Sequence, residues 1–218
     1  MVKQANTIDN QAEGRRERRK EETRNQIFQA AMRLFERKGV FDTTVEEITE
    51  SADVAKGTFF NYFPSKEAIL NKLAERQVGV IQHAAERART APSMRPVLVD
   101  MAHELSAGPA RSAMMLRSLL SVFLSNKLLS EAFQTALQLS RERITTIMDR
   151  GQQLGEIRTD ISSADLARIF QHAMFGTHAV WSISKPSDLK PWIDKTFDVV
   201  WCGIAAQTGP RVSSKEKA

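Results

Sequence analysis

An all-α fold is what the pattern of breakers and apolar residues in this chain predicts. Glycines (10) and prolines (7) are few among the 218 residues, and the prolines fall in clusters. Between the clusters run segments whose apolar residues recur with helical spacing. No segment sustains the strict alternation of a half-buried strand. The expectation is about nine helices with no internal repeat.

Composition narrows the class. With 42% hydrophobic residues the chain can bury a core. Its net charge of +5 admits a polyanionic partner without requiring one. The lone cysteine, Cys202, excludes an intrachain disulfide and a Cys-rich zinc site, and fits a reducing compartment. The first 20 residues lack the apolar core of a secretory signal. The most apolar stretches, near Leu119–Leu124 and Val199–Ala206, fall short of the ~20 residues that span a bilayer. A cytoplasmic protein with no membrane partner is expected.

The elements follow in order. Residues 1 to about 14 are polar and read as a frayed end. Arg15–Arg24 holds six basic residues against three acids. That run reads either as a solvated helix start or as a surface near phosphates. Ile27, Ala30, Ala31, Leu34 and Phe35 then form an amphipathic stripe, closed by Arg37, Lys38 and Gly39. Thr44-Val45-Glu46-Glu47 reads as a capping box that opens a short helix carrying Val45, Ile48 and Ala52 on one side. A tight turn at Asp53-Val54 leads to a second short helix over 55–62, stopped by Pro64 and Ser65. A long helix is expected over 66–89, then helices near 95–106, 109–125, 127–153, 163–184 and 188–207. A polar tail over 208–218 reads as disordered.

Two short helices joined by a tight turn behind a longer support have the layout of a helix-turn-helix. Phe59 and Phe63, four apart, can face inward towards Ile27, Ala31, Leu34 and Ile48. Lys56, Gly57 and Phe60 then lie on another face, with Thr58, Asn61 and Tyr62 at its flanks. Such a helix fits the major groove of DNA. There a lysine can donate to guanine, an asparagine can pair with adenine and an aromatic edge can touch a thymine methyl.

The residues Thr23-Arg24, Ile27, Ala30-Ala31, Leu34-Phe35, Gly39, Thr44, Ile48, Ala52, Val54, Gly57, Tyr62-Phe63 and Ser65-Lys66 together resemble the TetR family of bacterial transcription regulators. The resemblance covers about Arg19 to Leu70, and Gly155-Glu156-Ile157-Arg158 before a late helix adds to it. It implies a DNA-binding domain over 15–65 and a helical regulatory domain over 66–207 that dimerises and binds a small molecule. It implies phosphate contacts from Thr44, Tyr62 and Lys66, and groove-facing positions at Lys56, Gly57 and Thr58. Asn61 is added from the helix reading above. Four residues depart from the family pattern. Thr49 replaces alanine, Asp53 the turn glycine, Ala55 a capping serine and Phe60 a tyrosine. Asp53 can adopt left-handed geometry at some cost; Ala55 loses a side-chain cap.

The C-terminal half is less specific. Ala173, Gly176, Thr177 and Val180, with Ile193, Val200, Gly203 and Ile204, place small and apolar residues at helical spacing. With the resemblance they are read as a two-fold four-helix interface of a homodimer, internal packing being the alternative. Met101, His103, Met114, Met115, Phe123, Phe175, His178 and Trp181 are candidates to line a pocket for an apolar effector, or plain core. The histidines lack a metal-ligand pattern. No G-x-S-x-G, P-loop, dinucleotide fingerprint or H-E-x-x-H occurs. The expectation is no enzyme, no cofactor and no metal. The expected function is a transcription regulator released from a near-palindromic DNA operator by a small molecule; an architectural DNA tether is the alternative.

Overall fold

The computed structural model describes residues 2–107, 112–184 and 188–206, with side chains from Gly14 onward. The expected tail at 208–218 lies outside the described residues. Among them the chain forms nine α-helices: α1 (Val2–Lys38), α2 (Val45–Ser51), α3 (Lys56–Tyr62), α4 (Ile69–Ala88), α5 (Met94–Leu105), α6 (Ala113–Ser125), α7 (Lys127–Gln153), α8 (Ser163–Ile183) and α9 (Lys190–Ile204). No helix among them is long and apolar enough to cross a membrane.

Several boundaries differ from expectation: α6 begins at Ala113 rather than near 109, and α9 spans Lys190–Ile204 rather than 188–207. Helix α1 reaches back to Val2 rather than fraying before Gly14, because no proline and only Gly14 interrupts the stretch before Lys38. Helix α4 begins at Ile69, not Lys66. The residues between are a tight lead-in, with Ile69, Leu70 and Asn71 amides bonding three residues back. Ser65 does cap this lead-in, its hydroxyl accepting from the Ala68 amide at 3.2 Å.

The chain packs as two compact units. The first comprises Met1–Gln77, Ala107–Ala136 and Ala179–Pro186. Its core joins Ile27, Phe28, Ala31, Leu34 and Phe35 of α1 to Ile48, Phe59, Phe63, Ile69, Leu70 and Leu73. Met115 and Val122 of α6 complete it. The contact surface of the short helices therefore does not end near residue 65. Met115 was a pocket candidate; it is fully buried in this core. Helix α6 comes close because Gly39, at φ 84°, lacks a side chain there; a Cβ would sit 2.7 Å from Ser118 Oγ. Ser118 uses that closeness to accept from the Val40 amide at 3.3 Å.

The second unit comprises Val78–Ser106, Leu137–His178 and Ser187–Ala218. Its core includes Met94, Leu98, Met101, Ile147, Met148, Ile157, Phe170, Ile193 and Ile204. The Gly155–Arg158 phrase closes it. Gly155 turns at φ 72°, and the Arg158 amide and Ala206 amide bond across a short antiparallel bridge to Ile204 and Glu156 carbonyls. The Glu156 carboxylate accepts from the Met94 amide at 2.7 Å, at the start of α5.

The capping box of α2 forms as the sequence predicts. Thr44 Oγ1 accepts from the Glu47 amide (3.2 Å), and the Glu47 carboxylate accepts from the Thr44 amide (2.8 Å). Lys38 also binds Glu47. The Lys38 ammonium, then the Thr44 amide, pull the Glu47 carboxyl from 4.5 to about 2.

Two outcomes are expected. Because the folded pKa of Glu47 is depressed, its contribution is fully present above about pH 4.5 and is lost as pH falls towards about 2. The gap in urea midpoint between the protein and Glu47→Gln should hold steady near neutral pH and close in that acid window. At Gly151 a Cβ would collide with the buried side chain of Ile157. Gly151→Ala should lower unfolding free energy by about 1–3 kcal/mol, read by denaturant titration.

Candidate nucleic-acid interface

Helix α3 has only seven residues, too few to be stable alone. Its N-cap, Ala55, makes no side-chain hydrogen bond, as the loss of a capping serine predicts. Tertiary burial holds it instead. Phe59 is fully buried and Phe63 nearly so, with ring centroids 6.0 Å apart. Burying each such side chain stabilises by about 1.5–3 kcal/mol. The turn that delivers α3 places Asp53 at φ 51°, the left-handed region its side chain tolerates. Thr49 is buried, and its hydroxyl is satisfied by the Glu46 carbonyl at 2.8 Å.

The opposite face of α3 is bare. Lys56, Gly57, Phe60 and Asn61 are exposed, with Phe60 at 48%; Thr58 and Tyr62 are half-buried. A glycine inside a helix costs roughly 1 kcal/mol. Gly57 has nothing within 4 Å of where a Cβ would stand, so packing in this chain does not require it. A surface that must approach α3 closely from outside would.

Ion pairs and hydrogen bonds gather around the start of α2. Lys56 pairs with Glu46, whose carboxyl is held below its ordinary value chiefly by that ammonium. Lys66 Nζ donates to the carbonyls of Phe41 (2.9 Å) and Thr43 (2.6 Å), fixing the loop ahead of Thr44. Thr44 is itself engaged in the capping box. The Tyr62 hydroxyl makes no hydrogen bond among the described residues, and the side chain packs against the core. Thr44, Lys56 and Lys66 are thus brought to one edge, beside the exposed positions of α3. Sequence reasoning missed Glu46 as the partner of Lys56. A spacing of ten residues across a turn gives no periodic signal.

The other candidates divide between the units. Met114, Phe123 and Trp181 lie in the first unit with Met115, whereas Met101, His103, Phe175 and His178 lie in the second. Met101 is fully buried, and Met114 and Phe175 are about 40% exposed. His103 pairs with Asp194 at 2.6 Å. His178 bonds the Met174 carbonyl (2.8 Å) and Ser106 (3.0 Å), and burial pushes its pKa down. Phe123 stacks on Phe133, centroids 4.2 Å apart, beside an open depression of about 440 Å³ also lined by Asn126, Lys127 and Gln134. Among the described residues no group of three His, Cys, Asp or Glu side chains is placed to hold a metal ion.

Ile193 and Ile204 are fully and almost fully buried in the second unit's core, so neither presents a surface. Val180 is exposed, as is Gly203, and Ala173, Gly176, Thr177 and Val200 are half-buried. Ile169, which the spacing of α8 groups with Ala173 and Gly176, is 49% exposed, and Trp192 (50%) and Val199 (74%) are exposed on α9. Helix α9 carries adjacent apolar stripes, and periodicity alone does not say which one meets the core.

Residues 27–73 match the family model described as bacterial regulatory proteins, tetR family. The match spans the core of α1, the turn between α2 and α3, and the first turns of α4. The HTH-type transcriptional regulator YuxN of Bacillus subtilis is 48% identical over 44 residues, 20% of this chain and 15% of that protein. The chain therefore aligns to only a small part of that relative's length. The HTH-type transcriptional regulator UidR of Escherichia coli is 24% identical over 161 residues, 72% of this chain and 80% of that one. The crystal structure of the transcriptional regulator FadR from Bacillus subtilis, in complex with stearoyl-CoA, matches with a TM-score of 0.67 at 22% identity. It covers 82% of this chain and 98% of FadR, which shows a shared fold. Over residues 27–73 the chain is therefore similar to the bacterial regulatory proteins of the tetR family, and its helical architecture is one that FadR shares.

Proposed function

We propose that the protein is a sequence-specific, DNA-binding transcription regulator of the cytoplasm. It acts as a homodimeric repressor released from its operator by a small apolar molecule. The observation that carries this reading is α3: one face anchored in the core through Phe59 and Phe63, the other bare at Lys56, Gly57, Phe60 and Asn61. No catalytic activity is part of the reading.

In this reading α3 enters the major groove. The glycine at 57 lets the helix backbone come close, Asn61 and Phe60 reach base edges, and Lys56 exchanges Glu46 for guanine. Thr44, Tyr62 and Lys66 hold phosphates. Lys66 has one N–H left after its two carbonyls, and that proton is the one available to a phosphate oxygen. Two copies of α3 set about 34–36 Å apart would read a near-palindrome. The exposed side of α8 and α9, with Ile169, Ala173, Gly176, Val199 and Gly203, is the surface proposed to pair the copies. An effector that binds better to the wrong spacing of the two heads lowers DNA affinity by its coupling energy, typically about 1–3 kcal/mol. Stearoyl-CoA, held by the FadR structure, is a suitable first probe for an amphiphilic effector.

Selection of genome fragments by the purified chain should return one near-palindromic site. On that site Lys56→Ala should cost about 1–3 kcal/mol and little on random duplex, while Lys66→Ala should weaken both alike. Equal behaviour of the two variants on random duplex would remove Lys56 from base reading. In sedimentation velocity the chain should run as a dimer and Val199→Glu as a folded monomer. A dimer that survives Val199→Glu would place the pairing surface elsewhere.

A further inference from the structure

The short helices that carry α3 are acidic. Between Asp42 and Lys66 there are five acids (Asp42, Glu46, Glu47, Glu50 and Asp53) against two lysines. Lys56 is paired to one of these acids, and Lys66 is held by carbonyls. Phosphate neutralisation supplies most of the non-specific affinity of a DNA-binding protein. Residues 42–66 alone are poorly equipped to supply it.

The missing charge lies on α1. Residues Arg15–Arg24 carry six basic side chains against three acids, and 14–22 are all exposed. At about 100° per residue the charges separate by side. Arg15, Arg16, Arg19, Lys20 and Arg24 fall on one half of the helix. Glu17, Glu21 and Glu22 fall on the other, together with Arg18. The basic half continues the face on which Ile27, Ala30, Ala31 and Leu34 are buried. Two contacts locate it. The Arg24 guanidinium lies over the ring of Phe63, the residue that ends α3, 5.8 Å from its centroid. Glu21, on the acidic half, binds the buried Lys72 of α4 at 2.7 Å. Lys20 and Arg24 make only long, solvent-accessible pairs with Glu17 (3.7 Å) and Glu21 (3.9 Å), one turn away on the same helix. At 1.5 Å per residue, Arg15 stands about 13 Å further along its axis.

We infer that the basic half of α1 between Arg15 and Arg24 is a second, sequence-independent DNA contact, binding the phosphate backbone flanking the bases that α3 reads. The inference rests on the DNA-binding reading above. It supplies the electrostatic term that residues 42–66 lack, and it leaves base recognition to α3.

The test uses the full chain and the triple variant Arg16→Gln, Arg19→Gln, Lys20→Gln, whose unchanged far-UV circular dichroism and melting temperature would show it folds. Both are titrated by fluorescence anisotropy onto the selected site and onto a random duplex over a salt series. Each lost phosphate contact removes about 0.9 from the slope of log affinity against log salt. The slope should therefore become shallower by about two to three per chain. Affinity should fall by a similar factor on both duplexes, leaving the specificity ratio unchanged. Trimming base pairs outside the palindrome should weaken the natural chain and not the variant. An unchanged salt slope, or a loss confined to the selected site, would overturn the inference while the DNA-binding reading stands. Loss of binding to phosphatidylglycerol vesicles with an unchanged DNA slope would assign the basic face to a lipid surface instead. Failure of the natural chain to bind any duplex would remove the reading on which the inference rests.

Discussion

The burial of Phe59 and Phe63 against α1 is the interaction on which the rest of the first unit depends. A helix of seven residues with an uncapped start has no stability of its own. Two aromatic rings driven into a core shared with Ile27, Ala31, Leu34 and Ile48 supply it. Because these anchors are four residues apart, they use one side of α3 and leave the other unobstructed. Rigidity and exposure come from the same constraint.

The polar groups around that core act on the loops. Lys66 ties down the carbonyls ahead of α2, Thr44 and Glu47 close its first turn, and Asp53 accepts the strained turn that a glycine would make freely. None of these is a deep charge. Each is a surface interaction of modest strength that sets an angle or a start point. The ordering of short elements this way explains why so many polar residues between 41 and 66 have partners within the chain.

Much of this was legible in the sequence because it is local. The stripe from Ile27 to Phe35, the capping box at Thr44 and the inward pair Phe59 and Phe63 all follow from spacing within a few residues. The left-handed Asp53 follows from the turn it occupies. Long-range facts were not legible. Nothing in the neighbourhood of Met115 says that it completes the core beneath α1 and α3. Nothing near Ile193 or Ile204 distinguishes a buried stripe from the exposed one at Trp192 and Val199. The Lys56–Glu46 pair depends on how two short helices cross. Apolar periodicity states that a helix has a covered face; only the assembled neighbours state what covers it.

The alternation along α3 has a consequence for how this protein can change over generations. Phe59 and Phe63 carry the stability, while Gly57 and Asn61 stand two residues away on the exposed side, and half-exposed Phe60 only rests edge-on against Phe59. A side chain added at Gly57 meets open space rather than a packed neighbour. Random mutation can therefore explore new side chains on the bare face without first unfolding the scaffold, and the fold is free to be inherited by descendants with quite different preferences.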